Sequence, residues 1–219
     1  MLVLVGKKTQ DRPAINGFQK SQILNKAILA STSDYLIFTD GDCIPRKDFV
    51  EVHDKFREKG YFLSGGYFKL PMDISKLISK DDIINQRCFD LNWLKANGLP
   101  SSFKNIKFLA SGLGSKILNF VTPTNASWNG HNSSGFKNDI LAINGFNELL
   151  EYGGEDREMG ERLFNNGLLS KQIRYSAICV HLDHTRSYVN PEKVKFNSEV
   201  RKFNQKNKVT WITSGIDKE

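Results

Sequence analysis

The sequence predicts an α/β fold with helices flanking a sheet. Three observations carry this. A helical pattern from Gln19 to Ala30 runs through a turn into the apolar run Tyr35-Leu36-Ile37-Phe38. That run stops abruptly on Asp40-Gly41-Asp42, and helix and strand patterns follow it to the C-terminus. In open α/β sheets the carboxyl edge of the strands is where ligands bind, so the two aspartates lie where a site is expected.

The elements follow in order. Ile23, Leu24, Ala27 and Ile28 share one face of the first helix, and Ser31 to Asp34 form the turn before the buried strand. Pro45 is expected to open a second helix with Phe49, Val52 and Phe56 on one face. Tyr61 to Ser64 reads as a short strand ahead of Gly65-Gly66, and Asp81 to Lys95 as one helix with Ile84, Cys88 and Leu91 on a stripe. Gly98 to Asn129 has no clear periodicity and is long for a plain connection, so part of it reads as a mobile loop over a site. Asp139 to Ile143 and Glu155 to Asn165 read as helices, the second with Met159 and Leu163 inward and Gly167 at its end. Ile173 to Val180 alternates toward a strand. Asn190 and Pro191 cap a last helix whose Phe196, Val200 and Phe203 are expected to pack on the core. Its Lys193, Arg201, Lys202, Lys206 and Lys208 form a basic face that either favours an anionic surface or is simply solvated.

At 219 residues, with 39% apolar, 11% aromatic and 25% charged residues, the chain suits one large domain, or a core with a small appendage, and excludes a disordered tail. No run reaches the roughly 18 apolar residues of a membrane span, and Met1 to Val5 is too short for a signal-peptide core, so the cytosol is the expected compartment. Cys43, Cys88 and Cys179 are isolated and odd in number, which argues for reduced thiols and against a zinc site or a disulfide framework. A net charge of +7 favours nucleotide diphosphates, phosphorylated glycans or an anionic membrane face. No nucleic-acid-binding motif accompanies the charge, so nucleic acid is not an expected partner.

Three groups of residues carry chemistry. Asp40-Gly41-Asp42 presents two carboxylates at a strand end, suited to a hard divalent ion that also grips phosphate, although Asp-Gly is also a common turn pair. Gly153-Gly154-Glu155-Asp156-Arg157-Glu158 feeds acids into the first turn of a helix, where they either complement the helix dipole or supply a general base. His181-Leu182-Asp183-His184 closes a strand, and a histidine there either packs structurally or completes a metal site with the aspartates.

Taken in order, several motifs resemble the family 2 glycosyltransferases of GT-A fold, in the bacterial branch with a galactosyltransferase-like C-terminal region. They are Gly17-Phe18-Gln19-Lys20 with Ile23 to Ala27, Tyr35 to Pro45, Asn132 to Phe136, Asn144-Gly145-Phe146-Asn147-Glu148, Gly154-Glu155-Asp156 and His181-Leu182. The resemblance implies a GT-A-like, Rossmann-like mixed sheet flanked by helices over residues 1–189, with 190–219 as a C-terminal basic helix and tail.

It further implies inverting transfer of a sugar from a nucleotide-sugar donor to a glycan or glycolipid acceptor, with Mn2+ or Mg2+, in building a cell-surface polysaccharide or lipopolysaccharide. By position, Asp40, Asp42 and Lys26 would hold the nucleotide sugar, and Asp42 and His181 the metal. Asp156 would be the base, with Glu155, Phe146 and Asn132 facing the acceptor. The protein would then be cytoplasmic, in peripheral contact with the inner face of an anionic membrane. Family members normally begin with a donor-binding βαβ unit ahead of the Gly17 motif. The sixteen residues before Gly17 are shorter than the roughly 30 such a unit takes, so either the chain is a fragment or a shortened gene product, or another chain supplies the missing part. The alternative is an inactive remnant that binds glycan or does nothing.

Overall fold

The computed structural model describes residues 2–5, 19–185 and 189–217, and for residues 2–5 only the backbone is described. Gly17 and Phe18 of the first motif lie outside the described residues. The strands β1 (Leu2–Val5) and β2 (Tyr35–Thr39) are parallel and are joined through helix α1 (Lys20–Ala30), so a β-α-β unit opens the chain. Strands β3 (Cys43–Pro45), β4 (Tyr61–Ser64) and β5 (Gly66–Lys69) follow, with helix α2 (Phe49–Phe56) between β3 and β4. Helices α3 (Met72–Leu77), α4 (Lys80–Ile84), α5 (Leu91–Ala96), α6 (Ile106–Leu109) and α7 (Gly112–Val121) fill the middle of the chain. The remainder is β6 (Ser133–Phe136), α8 (Lys137–Ala142), α9 (Glu155–Asn165), β7 (Leu169–Gln172), β8 (Ile178–His181) and α10 (Pro191–Lys206).

The expected mixed sheet is present. Five strands run in the order β1-β2-β6-β4-β7, with β6 antiparallel to both β2 and β4 and β7 parallel to β4. A smaller sheet, β3-β8-β5, pairs β8 antiparallel to β3 and parallel to β5.

All five residues of β2 are buried because both faces of the large sheet are covered. Leu36 and Phe38 face a core shared with α1, α8, α9 and the fully buried Trp128, whose ring meets Phe38 edge-on at 5.2 Å between centroids. Tyr35 and Ile37 face the opposite core with Phe49, Leu63 and Cys179. A third core under the small sheet gathers Ile44, Phe68, Leu70, Cys88 and Leu94.

A buried polar chain crosses between the sheets. His53 Nδ1 lies 2.7 Å from Ser134 Oγ, Ser134 Oγ 2.8 Å from Tyr35 Oη, and His53 Nε2 2.9 Å from Asn132 Oδ1. Asn132 Nδ2 donates to Gly66 O and Ala177 O, which obliges its Oδ1 to accept from His53 Nε2–H, with Nδ1 accepting from Ser134. Burial holds His53 near pKa 4, so this histidine is neutral and structural.

Several local expectations are corrected. Pro45 ends β3 and the helix starts at Phe49, after a turn closed by Phe49 N to Arg46 O at 2.8 Å. The helix expected over 81–95 is broken in two. Gln86 adopts φ 57, and Asp90 caps a new helix by accepting from Asn92 N and Trp93 N. Within 98–129, residues 106–121 hold the helices α6 and α7, which the lack of periodicity did not reveal. Residues 173–177 turn back on themselves, leaving only Ile178–His181 as strand, and β7 precedes them.

Helix α10 does not pack through Phe196 and Phe203, which are exposed; its buried positions are Asn197 and Asn204. The reason is the polar surface it meets on α9. Glu158 and Arg162 there are wholly buried, and Asn204 Nδ2 donates to Glu158 at 2.8 Å while Arg201 pairs with Glu161. Arg162 bonds both oxygens of Glu158, at 2.7 and 3.0 Å, and the carbonyls of Ile143 and Gly145. Replacing Arg162 with Leu would strand the Glu158 charge in the core. Urea unfolding of Arg162→Leu is expected to show a loss of about 3–5 kcal/mol, the range for removing one partner of a buried pair.

Candidate active site

The site forms where three element ends meet. Lys20 is the first residue of α1, Asp40 follows the last residue of β2, and Glu155 and Asp156 open α9. The Lys20 ammonium lies 3.0 Å from Asp40, 2.9 Å from Asp156 and 3.5 Å from Glu155. A cation in the first turn of a helix opposes the helix dipole, so Lys20 is held there by these carboxylates and not by helix preference. The turn into α9 depends on Gly153 and Gly154, at φ 111 and 103, where a side chain would be strained. Glu155 locks that turn by accepting from Gly153 N at 2.9 Å. Gly130 is needed for a different reason: a Cβ there would fall on both the Lys20 amine and the Asp156 carboxylate.

The electrostatics follow from burial and from the four charges. Burial alone would lower the Lys20 pKa, but the carboxylates of Asp156, Asp40 and Glu155 outweigh it and hold it well above its ordinary value. Burial pushes Asp156 up to about 6. Lys20 opposes that rise, while Glu155 and Asp40 add to it. Asp156 Oδ2 receives the Lys20 bond, and its buried Oδ1 has no hydrogen-bond partner among the described residues. An acid with a pKa near neutrality and an unsatisfied acceptor oxygen has the properties of a general base.

Two residues after Asp40, Asp42 joins a second group. The register of β3 against β8 sets Cys43 opposite His181, and Leu182 N donates to Asp42 O at 2.9 Å. This brings Asp42 Oδ2 to 2.9 Å from His184 Nε2 and 3.4 Å from His181 Nε2. One ligand atom from each of the three residues lies within 4.8 Å of the others. One carboxylate and two imidazoles fit a divalent transition ion such as manganese. The segment is anchored by Asp183, whose carboxylate pairs with Lys69 at 3.0 Å and whose N–H donates to Ser75 Oγ at 2.8 Å. Beside it, the Tyr67 ring meets His131 at 4.3 Å and His181 at 6.0 Å between centroids. Burial lowers His131 to about 4, keeping it uncharged next to the cationic Lys20.

The structure thus gathers Asp40, Glu155 and Asp156 in one group and Asp42 and His181 in another. The other assigned residues lie elsewhere. Lys26 is exposed on α1, a helical turn and a half from the charge cluster, and Lys20 takes the place expected of it. Phe146 is fully buried among Phe38, Ile143 and Met159, so its ring has no face to offer a sugar. Asn132 is fully buried and committed to His53, Gly66 and Ala177. Lys20 and His184 stood inside the quoted motifs but were assigned no role. The signals were present: a lysine opening a helix against its dipole, and a second histidine three residues after His181.

Residues 122–185 match the family model described as the N-terminal domain of galactosyltransferase. That segment takes in Gly130, Glu155, Asp156, His181 and His184. No curated protein matches the chain in sequence. Among solved structures, the chain is similar to the mannosyltransferase PcManGT from Pyrobaculum calidifontis in complex with GDP-Man and Mn2+, with a TM-score of 0.43 and 16% identity over 77% of this chain and 38% of that one. It is similar to glucosyl-3-phosphoglycerate synthase from Mycobacterium tuberculosis in complex with phosphoglyceric acid, with a TM-score of 0.45 and 14% identity over 87% and 56% of the two chains. It is also similar to GalNAc-T7 with UDP, GalNAc and Mn2+, with a TM-score of 0.48 and 10% identity over 83% and 34%. The chain therefore spans between 34% and 56% of the length of these three proteins.

If Asp42, His181 and His184 act together as metal ligands, calorimetric titration with manganese should show one site in the wild type. Asp42→Ala and His184→Ala should each weaken it by more than the roughly 10–100-fold that loss of an outer-shell partner costs. Equal affinity in wild type and both variants would remove the site.

Proposed function

We propose that the protein is a metal-dependent glycosyltransferase that moves a sugar from a nucleotide-sugar donor to a hydroxyl of a glycan or glycolipid acceptor, with inversion. The observation that carries this reading is Asp156, a carboxyl pushed up to about pKa 6 whose buried Oδ1 has no hydrogen-bond partner among the described residues. It is joined through Lys20 to Asp40, two residues from the Asp42, His181 and His184 group. The match of residues 122–185 to a galactosyltransferase family supports the same reading.

In this mechanism the Asp156 carboxylate accepts the proton of the acceptor hydroxyl through Oδ1. The freed oxygen attacks the anomeric carbon as the bond to the diphosphate oxygen breaks on the opposite side, so the configuration inverts. Lys20 fixes the rotamer of Asp156 through Oδ2 and keeps its pKa from rising further. Glu155 holds the turn that aims Asp156 and offers its remaining acceptor capacity to the acceptor sugar. Asp40 lies on the donor side, where its carboxylate orients ribose hydroxyls. Asp42, His181 and His184 would hold the metal. Bound there, manganese or magnesium neutralises charge on the departing diphosphate without proton transfer.

The role in building a cell-surface polysaccharide or lipopolysaccharide belongs to the same proposal, as does action on the cytoplasmic side of the membrane. Cys43, Cys88 and Cys179 are free and buried, which suits a reducing compartment.

The test is transfer from a panel of nucleotide sugars, followed as nucleotide release with manganese present. Asp156→Asn keeps the size of the side chain but cannot take a proton near neutral pH. It should lower kcat by about 10²–10⁴-fold while leaving donor affinity within about twofold. In the wild type the base must be ionised, so kcat/KM should fall as pH drops through about 6, by about tenfold per pH unit below it. Near-normal turnover by Asp156→Asn with metal and donor saturating would overturn the assignment. Glu158 is no substitute base, being wholly buried against Arg162.

A further inference from the structure

Helix α7 is built inside out. Its inward side is polar: Ser115 is buried with its hydroxyl 3.1 Å from Ser176 Oγ, and Asn119 donates to Ser176 Oγ and accepts from Tyr175 N, both at 2.8 Å. Its outward side is apolar. Leu113 is 73% exposed and Phe120 91%, and Ile117, between them on the same face, is exposed too. Phe103, Ile106 and Leu109, in the stretch that leads into α7, are also exposed. A helix at the surface of a globular protein ordinarily shows the reverse arrangement, and an apolar run of this extent marks an interaction site.

The span that carries this face is basic, although Asp48 and Glu51, at the start of α2, line a pocket together with Ser111, Gly112 and Lys116 at its inner end. From Leu91 to Asn138 the sequence contains no Asp or Glu. Lys95, Lys104 and Lys116 are exposed within this span, whereas Lys107 turns inward to donate to Tyr67 O at 2.7 Å. Bulky apolar residues beside lysines, with no acid over a long stretch, complement a surface that is apolar beneath and uniformly negative above. That is the headgroup and acyl boundary of an anionic bilayer. Among the described residues no helix is long and apolar enough to cross a membrane.

We infer that the 103–121 surface docks the protein peripherally on an anionic membrane, with Leu113, Ile117 and Phe120 entering the acyl boundary and Lys104 and Lys116 at the phosphates. The sequence pattern had pointed to α10 for this contact, but α7 and its approach carry the denser apolar face and the span free of acids. The inference stands apart from the catalytic reading, because its readout is binding without substrate.

Co-sedimentation of the full chain with vesicles is the test. The wild type should pellet with phosphatidylglycerol mixed into phosphatidylcholine and not with phosphatidylcholine alone, and less as salt rises. Ile117→Glu with Phe120→Glu should cut binding at least about a hundredfold, the least expected from losing a buried aromatic and a buried aliphatic side chain. Both positions are exposed, so the melting curve by circular dichroism should not move. Lys104→Gln with Lys116→Gln should lower the salt dependence. Failure of the wild type to bind, or undiminished binding by the glutamate variant, would overturn the inference. So would sedimentation velocity showing a wild-type dimer that the glutamate variant converts to monomer, since the face would then belong to a second copy.

Discussion

The arrangement of this protein turns on one partly buried ammonium group. Lys20 ties the start of α1, the end of β2 and the start of α9 through Asp40, Glu155 and Asp156. Three carboxylates this close would repel one another without it. With it, one of them remains poised near pH 6 and the others stay paired. The same contact explains why Gly130 has no side chain, whereas Gly153 and Gly154 supply the left-handed turn into α9 and face Val194 and Arg201.

Around that point the protein divides its polar groups by task. The chain Tyr35, Ser134, His53 and Asn132 is fully paired and buried, with a histidine held neutral, so it stitches the two sheets together and carries no chemistry. The pair Glu158 and Arg162 does the same for α9, and Asn204 and Arg201 lock α10 onto it. Asp156 Oδ1 differs from all of these in having no partner among the described residues, and such an orphan is tolerated where a ligand completes it. The backbone pairing of β3 with β8 fixes Asp42 beside His181, and Asp183, held by Lys69 and Ser75, anchors the segment that brings His184 to the same carboxylate.

The parts of this arrangement legible in the sequence were those with strong local signals. The run Tyr35 to Phe38 ending on two aspartates gave a buried strand and its ligand edge, and the glycine pair before Glu155 gave the start of α9. Asn190 and Pro191 gave the start of α10. What stayed hidden was decided by packing partners distant in sequence. Phe146 and Asn132 carry residue types that contact sugars elsewhere, yet their burial depends on α1, α9 and two sheets that no local window reveals. Helix α10 offered phenylalanines for packing, but the surface awaiting it was charged. The helices of 98–121 were obscured because α7 reverses the usual pattern, with serine and asparagine inward and apolar residues outward.

The account rests on Lys20 and Asp156 acting as one unit, and a double-mutant cycle in urea unfolding tests that most directly. Lys20→Met leaves three carboxylates without their cation and Asp156→Asn removes the same Lys20–Asp156 pair, so the double variant should lose less stability than the two single losses combined, by about 1–3 kcal/mol. Losses that add to within about 0.3–0.5 kcal/mol would show two independent side chains and contradict the account.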